Sequence, residues 1–549
     1  MKKFFTWKKY HRWVGLVLSV FMLVFCVSGI ILNHRSLFRN CEVNRALLPS
    51  GYHIKNFNNG ILRGTLSLGG DSVMAYGGAG VWLTDHQAKQ WTDLNAGLPK
   101  GADNRNVRNI VKTKDGNIWM ATQYDVYRWS GKQWEKTTPA DNDTRISDIA
   151  LNKDSSKVVI LSRDAVFVPS GRNDSYIGTH EKPRRDVKIA LSSPKDYAPK
   201  TTLFRTVWKL HSGEFFGLPG KLVVDAIALV LIILSITGIV LFILPYGIRS
   251  QKRKGAKEMM KKMGKQMVWN QRWHNRFGYF TIVLTLWLAV TGMCLRPPLM
   301  IPLVLVNTSQ QVEEGNVWKD KLRAIRWDAA EQCWIVSTSE GFLKVDEDFK
   351  QAPVFFDKDK TPGISPMGIN VFEKVLAASA DSTSQEADEW IVGSFSGMYR
   401  WNPQTGKVVD YFTQKPEEHH SMRPLSNALV TGYTEDFLGG KPVIFDYAKG
   451  AQLQRENSPE TEPAPISMPE TLAQAKMSLW NVALELHVGR CYSPFLGPVS
   501  NLFVFLSGLL ISLILLSGYI ILHRQKKRKR KNNNINNNVT KRLKENEKV

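Results

Sequence analysis

The sequence predicts a membrane protein of mixed class: a four-transmembrane-helix bundle made by tandem duplication, carrying two large extracytoplasmic β-rich segments. Three observations lead there. Four apolar stretches, 13–32, 222–244, 277–295 and 499–522, each match the ~20 residues that span a bilayer. The basic residues are gathered at particular ends of those stretches. The order helix, long outer segment, helix occurs twice.

Charge orients the spans. Residues 1–12 hold five Lys/Arg and no acid, 249–276 hold ten and one acid (Glu258), and 524–549 hold eleven and two acids. Of 73 basic and 49 acidic residues, that leaves 47 against 46 elsewhere, so almost all of the +24 net charge sits in three short segments. The positive-inside rule makes these the cytoplasmic N-terminus (1–12), loop (249–276) and tail (524–549) of a multi-pass membrane protein. Segments 36–205 and 300–470 are then periplasmic. Topology accounts for the charge, so no nucleic-acid partner is implied. The tail "HRQKKRKRKNNN" suits anionic membrane lipid, and its Asn run and the residues after it read as disordered.

In chain order, 13–35 is transmembrane helix 1. Its apolar run exceeds a ~7–15-residue signal-peptide core and no small-residue cleavage site follows "GIILNHRSLF", so it reads as a retained anchor. An interfacial segment and helix 2 occupy 206–248, helix 3 occupies 277–299, and an interfacial helix with helix 4 occupies 471–523. Residues 455–470, rich in Pro and Glu, read as a linker. Five cysteines are too few for a disulfide framework. Cys26 and Cys294 read as small apolar helix residues. Cys41 and Cys491 flank helix ends and are either a pair or free thiols.

The duplication is visible residue by residue. "HRWVGLVLSVFMLVFCVSG" (11–29) matches "HNRFGYFTIVLTLWLAVTG" (274–292), with Gly at +4 and +18 from His in both. "LHSGEFFGLPGKL" (210–222) matches "LHVGRCYSPFLGPVSNL" (486–502), which has four extra residues. Both then reach a small pair, in "LSITGIV" and "LLSGYII". The outer segments repeat β-rich units at about 40–45 residues: 71–91, 116–134 and 156–168, then 331–346, 388–412 and 441–454. These read as propeller blades, three per segment, forming one six-bladed propeller or two separate β domains. "DGNIWMAT…VYRW" resembles sensor-type propeller repeats.

Six histidines flank the helices: His11, His274 and His523 at the inner edge, His34, His211 and His487 at the outer edge. Ionisable groups at membrane depth are costly and suggest function. His11 with His274, and His211 with His487, are repeat partners on a common side, so two halves packed about a pseudo-twofold axis bring each pair to one point. Paired imidazoles suit six-coordinate haem iron that transfers electrons. Gly15 and Gly29 fall on the His11 face, and Gly278 and Gly292 on the His274 face, allowing close approach of a flat ring or of another helix. Zinc fits less well, because no cluster has closed-site spacing. No CxxCH occurs, so the two expected haems are b-type. "HH" at 419–420 reads as incidental.

The blocks "HRWVGLVLSVFMLVFCVSG", "LHSGEFFGLPGKLVVDAIALVLIILSITG", "WHNRFGYFTIVLTLWLAVTG" and "LHVGRCYSPFLG" resemble the PepSY-associated transmembrane family. That resemblance implies haem-mediated electron transfer outward, as in iron-regulated membrane proteins and ferric-siderophore reductases, with ligands at His11, His274, His211 and His487. Two departures stand out: the outer segments look propeller-like rather than like α/β PepSY modules, and His34 and His523 have no repeat partners, leaving them as substitute ligands or propionate partners. The short cytoplasmic segments hold no nucleotide-binding domain and no G-x-G-x-x-G follows a strand. A membrane quinol or a separate reductase is therefore the expected donor, and ferric iron in a siderophore or similar chelate the acceptor. The competing class is a non-enzymatic propeller-bearing sensor or scaffold.

Overall fold

The computed structural model describes residues 2–137, 145–169, 186–309, 316–365, 367–375, 388–417, 426, 428–455 and 458–546; His419 and His420 lie outside them. The chain divides into a helical unit (Met1–Arg35, Lys200–Gln310, Trp480–Val549) and a β unit (Ser36–Pro199, Gln311–Leu479).

The helical unit contains α1 (Lys2–Asn33), α2 (Leu203–Ser212), α3 (Gly217–Arg253), α4 (Lys257–Phe280), α5 (Ile282–Met293) and α6 (Met300–Leu305). After α7 (Glu470–Ala473) of the β unit come α8 (Leu479–His487), α9 (Ser493–Leu496) and α10 (Ser500–Asn546). Three helical stretches, 7–33, 214–253 and 490–534, are long and apolar enough to cross a membrane. Helices α4 and α5 qualify only as a pair, bent by 69°. The break is at Thr281, whose backbone leaves the helical region (φ −100°, ψ 7°) and whose hydroxyl bonds back to the Phe277 carbonyl at 2.8 Å. Such back-bonding bends helices. The span expected at 277–299 is therefore interrupted, and its first residues belong to α4.

Two segments, one expected as a loop and one in part as disordered, are helical. The basic loop 249–276 is the end of α3 and most of α4, turning at Gly255 (φ 71°). The tail continues α10 to Asn546. Lys, Met, Arg and Gln are good helix formers, and in both places an apolar helix already supplies the nucleus. The helices pack through Leu18, Met22 and Cys26 of α1, Ile227, Ala228, Leu231 and Leu234 of α3, and Ile511 of α10. Cys26 fills that core as a small apolar residue.

The β unit holds six antiparallel four-stranded sheets: β2–β5 (64–93), β6–β9 (107–136), β10–β13 (146–189), β16–β19 (322–355), β20–β23 (371–410) and β24–β27 (430–463). Inner strands of neighbouring sheets meet, β2 with β6, β6 with β10, β10 with β16, β20 with β24 and β24 with β2. The fourth and fifth sheets share a core of Ile335, Phe342, Phe372, Trp390 and Trp401. The ring is thus closed as one six-bladed propeller, with three blades before the helical segment 200–310 and three after it. Blades cover both faces of each second strand, so those strands are unbroken apolar runs such as "IWMAT" (β7) and "CWIVST" (β17), buried throughout. Part of the expected linker 455–470 is strand: Thr461–Pro463 is the outer strand of the sixth blade, an edge position where Pro costs no ladder bond. Two short ladders complete the sheets, β1 (Glu42–Val43) with β28 (Met477–Ser478) and β14 (Lys200–Thr202) with β15 (Asn307–Ser309). All five cysteines are free, so Cys41 and Cys491 do not pair.

Candidate functional site: two histidine pairs

Both halves use one device to set a histidine at the end of a short helix. His211 lies in the last turn of α2. The chain then turns at Gly213 (φ 78°), makes a 3₁₀ turn over Glu214–Phe216, and starts α3 at Gly217 (φ 62°). His487 ends α8, followed by Gly489 (φ 83°), a 3₁₀ turn over Arg490–Tyr492, and Gly497 (φ 53°) before α10. The four extra residues of the second copy are α9. Glycine is required at 213 twice over: its φ is left-handed, and a Cβ there would lie 2.3 Å from the Gly220 carbonyl oxygen.

The repeat-related rings meet. His11 and His274 have ring centroids 6.4 Å apart, and His211 and His487 6.2 Å apart. Each ring is held by a hydroxyl on another helix. Nδ1 of His11 lies 2.8 Å from Ser517 Oγ, of His274 2.9 Å from Thr237 Oγ1, of His211 3.0 Å from Thr291 Oγ1, and of His487 2.9 Å from Ser28 Oγ.

Those hydroxyls dictate the tautomer. Each has one hydrogen, and each donates it to its own helix: Ser517 to Ile514 O (2.8 Å), Thr237 to Ile233 O (2.6 Å), Thr291 to Trp287 O (2.8 Å) and Ser28 to Val24 O (2.6 Å). The hydroxyl oxygen can then only accept, so Nδ1 carries the proton and Nε2 the lone pair. No Nε2 among these four has a hydrogen-bond partner among the described residues. A neutral imidazole with Nδ1–H anchored and Nε2 uncommitted is the arrangement of a metal-ligating histidine and its outer support.

Each hydroxyl residue is followed by a glycine against the same ring. A Cβ would lie 3.0 Å from His11 Cε1 at Gly518, 3.6 Å from His274 Cε1 at Gly238, 2.8 Å from His211 Cε1 at Gly292 and 3.4 Å from His487 Cε1 at Gly29. Gly29 and Gly292 therefore serve the opposite histidine pair rather than the histidine of their own helix. Gly15 and Gly278 line a cavity of about 360 Å³ beside His11 and His274, with Gly238, Gly518, Lys8 and Arg12. That volume is in the range of small-molecule and cofactor sites.

The residues fit a haem. Two imidazoles bound on opposite sides of one metal at ~2.0–2.1 Å per nitrogen have ring centres ~6–6.5 Å apart, the spacing of both pairs. No group of three or more His, Cys, Asp or Glu gathers around a metal-sized point among the described residues. Two axial donors suit a metal whose other positions a macrocycle fills.

His34 and His523 join neither pair. His34 Nε2 is 2.6 Å from Asp225 Oδ2 on α3, a hydrogen-bond partner that occupies it. His523 is exposed and stacks on Tyr519, with centroids 5.9 Å apart. Reading from sequence missed Ser28, Thr237, Thr291 and Ser517. Their signal was a hydroxyl–glycine dyad present in every apolar stretch, as Ser28-Gly29, Thr237-Gly238, Thr291-Gly292 and Ser517-Gly518, although the last stretch also holds Ser507-Gly508, which faces no histidine.

A family model described as the PepSY-associated TM region matches residues 2–244 and 247–526. The chain belongs to that family. The two matched stretches adjoin within α3, as a tandem duplication of PepSY-associated units requires. No curated protein matches this PepSY-associated chain. Solved structures similar to it include a protein of unknown function from Bacteroides thetaiotaomicron (9% identity, 73% of this chain and 72% of that one, TM-score 0.33). Another is the β-propeller domain of Myceliophteria thermophila Cps50 (Swd1) (11%, 76% and 89%, TM-score 0.29). A third is the extracellular domain of a hybrid two-component system from B. thetaiotaomicron (9%, 73% and 54%, TM-score 0.16). Those scores are too low to carry fold or function across.

Proposed function

We propose that this PepSY-associated protein is a di-haem b transmembrane electron-transfer protein of ferric-chelate reductase type, in a bacterial cytoplasmic membrane. In this reading α1, α3, the bent α4–α5 pair and α10 are four spans, both termini are cytoplasmic and the β unit is periplasmic. His11 with His274, and His211 with His487, hold one haem each through Nε2. A haem held there would supply reversible one-electron transfer.

The chain's own residues do the rest. Ser517, Thr237, Thr291 and Ser28 keep each Nδ1 proton in place and fix ring orientation. The glycine after each hydroxyl residue lets the ring pack against the helix backbone. The apolar core around Met22 and Leu231 separates the two ends from water. His11 and Ser28, which holds His487, are 17 residues apart on α1, ~26 Å of helix rise, so the pairs stand near opposite faces of a ~30 Å layer. The 249–276 connection is too short to fold a nucleotide-binding domain, which favours a quinol or a separate reductase as donor. A ferric-siderophore or similar chelate is the acceptor the family favours, and reduction loosens its hard oxygen ligands.

The observation that carries this reading is the fourfold identical setting of the rings: Nδ1 anchored, Nε2 uncommitted, partner ring at haem spacing. Membranes overproducing the chain in haem-replete cells should show a Soret band with α/β bands on reduction. Each of His11→Ala, His274→Ala, His211→Ala and His487→Ala should remove about half of that absorbance. Undiminished haem in all four variants rejects the ligand set. Colourless membranes favour the second reading, a propeller-bearing sensor or scaffold, which the size and closure of the β unit support.

A further inference from the structure

The cavity beside His11 and His274 is graded in polarity along the bundle. One group on each helix marks the level of the rings: His11 on α1, Thr237 on α3, His274 on α4 and Ser517 on α10. To one side of that level the lining includes Leu18, Met22, Leu234 and Ile514. Two serines join them, but Ser19 donates its hydrogen to Gly15 O (2.6 Å) and Ser235 to Leu231 O (2.8 Å), each on its own helix. The charged and amide groups lie at the ring level or to the other side. Arg12 and Asn275 directly follow the two histidines. Lys8 stands three residues before His11, Gln271 three before His274 and Gln525 eight after Ser517. That side is the end of the bundle where the basic segments 1–12, 249–276 and 524–549 gather.

Arg12 is placed with particular care. Helical side chains lean toward the N-terminus of their own helix, and Arg12 does so. Its Nη2 donates to Phe242 O at 3.1 Å, and its guanidinium carbon lies 4.8 Å from the Phe242 ring centre and 5.6 Å from that of Tyr246. On α3 those two residues come five and nine after Thr237, ~7.5 and ~13.5 Å further along the helix. The guanidinium is therefore drawn away from the apolar half of the cavity and held at its basic mouth, where Phe242 also lines the wall. A guanidinium carries five N–H donors in a rigid fork, so one carbonyl and a ring contact orient it and leave room for a further acceptor. Its repeat counterpart Asn275 offers the same cavity an amide, so only the first half supplies a guanidinium here.

We infer that Arg12, with Lys8 beside it, binds a carboxylate of the group held between His11 and His274, so that this group's charged edge faces the basic end of the bundle. The inference rests on the haem reading proposed above, in which the carboxylate is a propionate. A haem is an apolar disc with two carboxylates on one edge. A cavity that is apolar on one side and cationic on the other accepts such a disc one way round. Turned over, the carboxylates would be buried among Leu18, Met22 and Leu234, where charge without a donor is costly. At the basic end a guanidinium fork matches a carboxylate in geometry as well as charge.

The test compares haem b with its dimethyl ester, which keeps the iron and the macrocycle but has no carboxylate. The full-length chain carrying His487→Ala, which leaves His11 and His274 as the intact pair, is purified haem-free in detergent and titrated with each compound by absorbance. Haem should bind about tenfold or more tighter than the ester, as one charged hydrogen bond implies. Arg12→Gln should bring haem down to the ester's affinity and leave the ester's own affinity unchanged. Lys8→Gln should act in the same direction by a smaller factor. Lys252→Gln, an exposed basic residue of α3 outside the cavity lining, should change neither. Equal affinity for haem and ester in the parent overturns the assignment and leaves the haem reading standing. So does an equal loss of both compounds in the variants, which would make Arg12 only an anchor for the helix end against Phe242. No bis-imidazole spectrum with either compound overturns the haem reading itself and this inference with it. Two separate variants keep the result readable if one fails to fold.

Discussion

In the helical unit every group around one histidine has a counterpart around its partner; at the bulge level of the propeller only some of the counterparts match. His11, Ser517 and Gly518 answer to His274, Thr237 and Gly238. His211, Thr291 and Gly292 answer to His487, Ser28 and Gly29. That level is the start of each blade's inner strand, a β-bulge in four of the six; there the first three blades offer Arg63, Arg108 and Ser147, while the last three offer Arg323, Asn370 and Thr431. Taken in order, Arg63 answers to Arg323 and Ser147 to Thr431, while Arg108 and Asn370 differ, so strand order survived duplication in the β unit and side-chain chemistry survived in part. A metal held between two halves needs the same donor from each.

Substitutions put that contrast to the test. The largest effect is expected where the blades remain alike, in their cores. Trp134→Ala in the second blade and Trp401→Ala in the fifth, both almost fully buried, should each cost about 3–5 kcal/mol, read as a lower urea midpoint for the β unit's unfolding transition. A large inequality between the two would mean that the halves of the ring differ in packing as well as in charge.

Next come the glycines, where symmetry in kind conceals a difference in room. A Cβ at Gly292 would sit 2.8 Å from the His211 ring, and one at Gly238 3.6 Å from the His274 ring. Gly292→Ala should lose most of one haem per chain and Gly238→Ala almost none, measured as haem per protein. Removing the hydroxyls is milder. Thr237→Val and Ser517→Ala should each lower haem affinity by about 10-fold or somewhat more, and by similar factors, measured by haem transfer to an apo-globin. The smallest effect belongs to His34→Ala, which should leave haem content unchanged, because that ring serves Asp225.

The helical part was readable because membrane insertion writes itself in long apolar runs and charge asymmetry, and because duplication repeats each histidine at a fixed offset. What could not be read was the interior of the bundle. Gly29 lies on the His11 face of an ideal helix, yet its neighbour is His487, since which helices meet is set by packing rather than by periodicity. The break at Thr281 was invisible for the same reason: one threonine among good helix formers carries no signal of a 69° bend. In the outer segments the repeat units coincided with the second and third strands of each blade, whose buried apolar runs stand out. The inner strands escaped notice because they are shorter on apolar residues and carry the polar bulges.

The interruption of the propeller by residues 200–310 has a consequence for biogenesis. Blade one is complete by residue 93 but cannot meet blade six until residue 463 has been made. At synthesis rates of about 5–20 residues per second, that is roughly 20–70 s. From residue 189 until the fourth blade begins at residue 322, three finished blades form an open arc with an uncovered apolar flank at each end, while the helical segment between them is still being made. Production of this chain is therefore paced by ring closure, and its most aggregation-prone species is the nascent half-ring rather than any mature form.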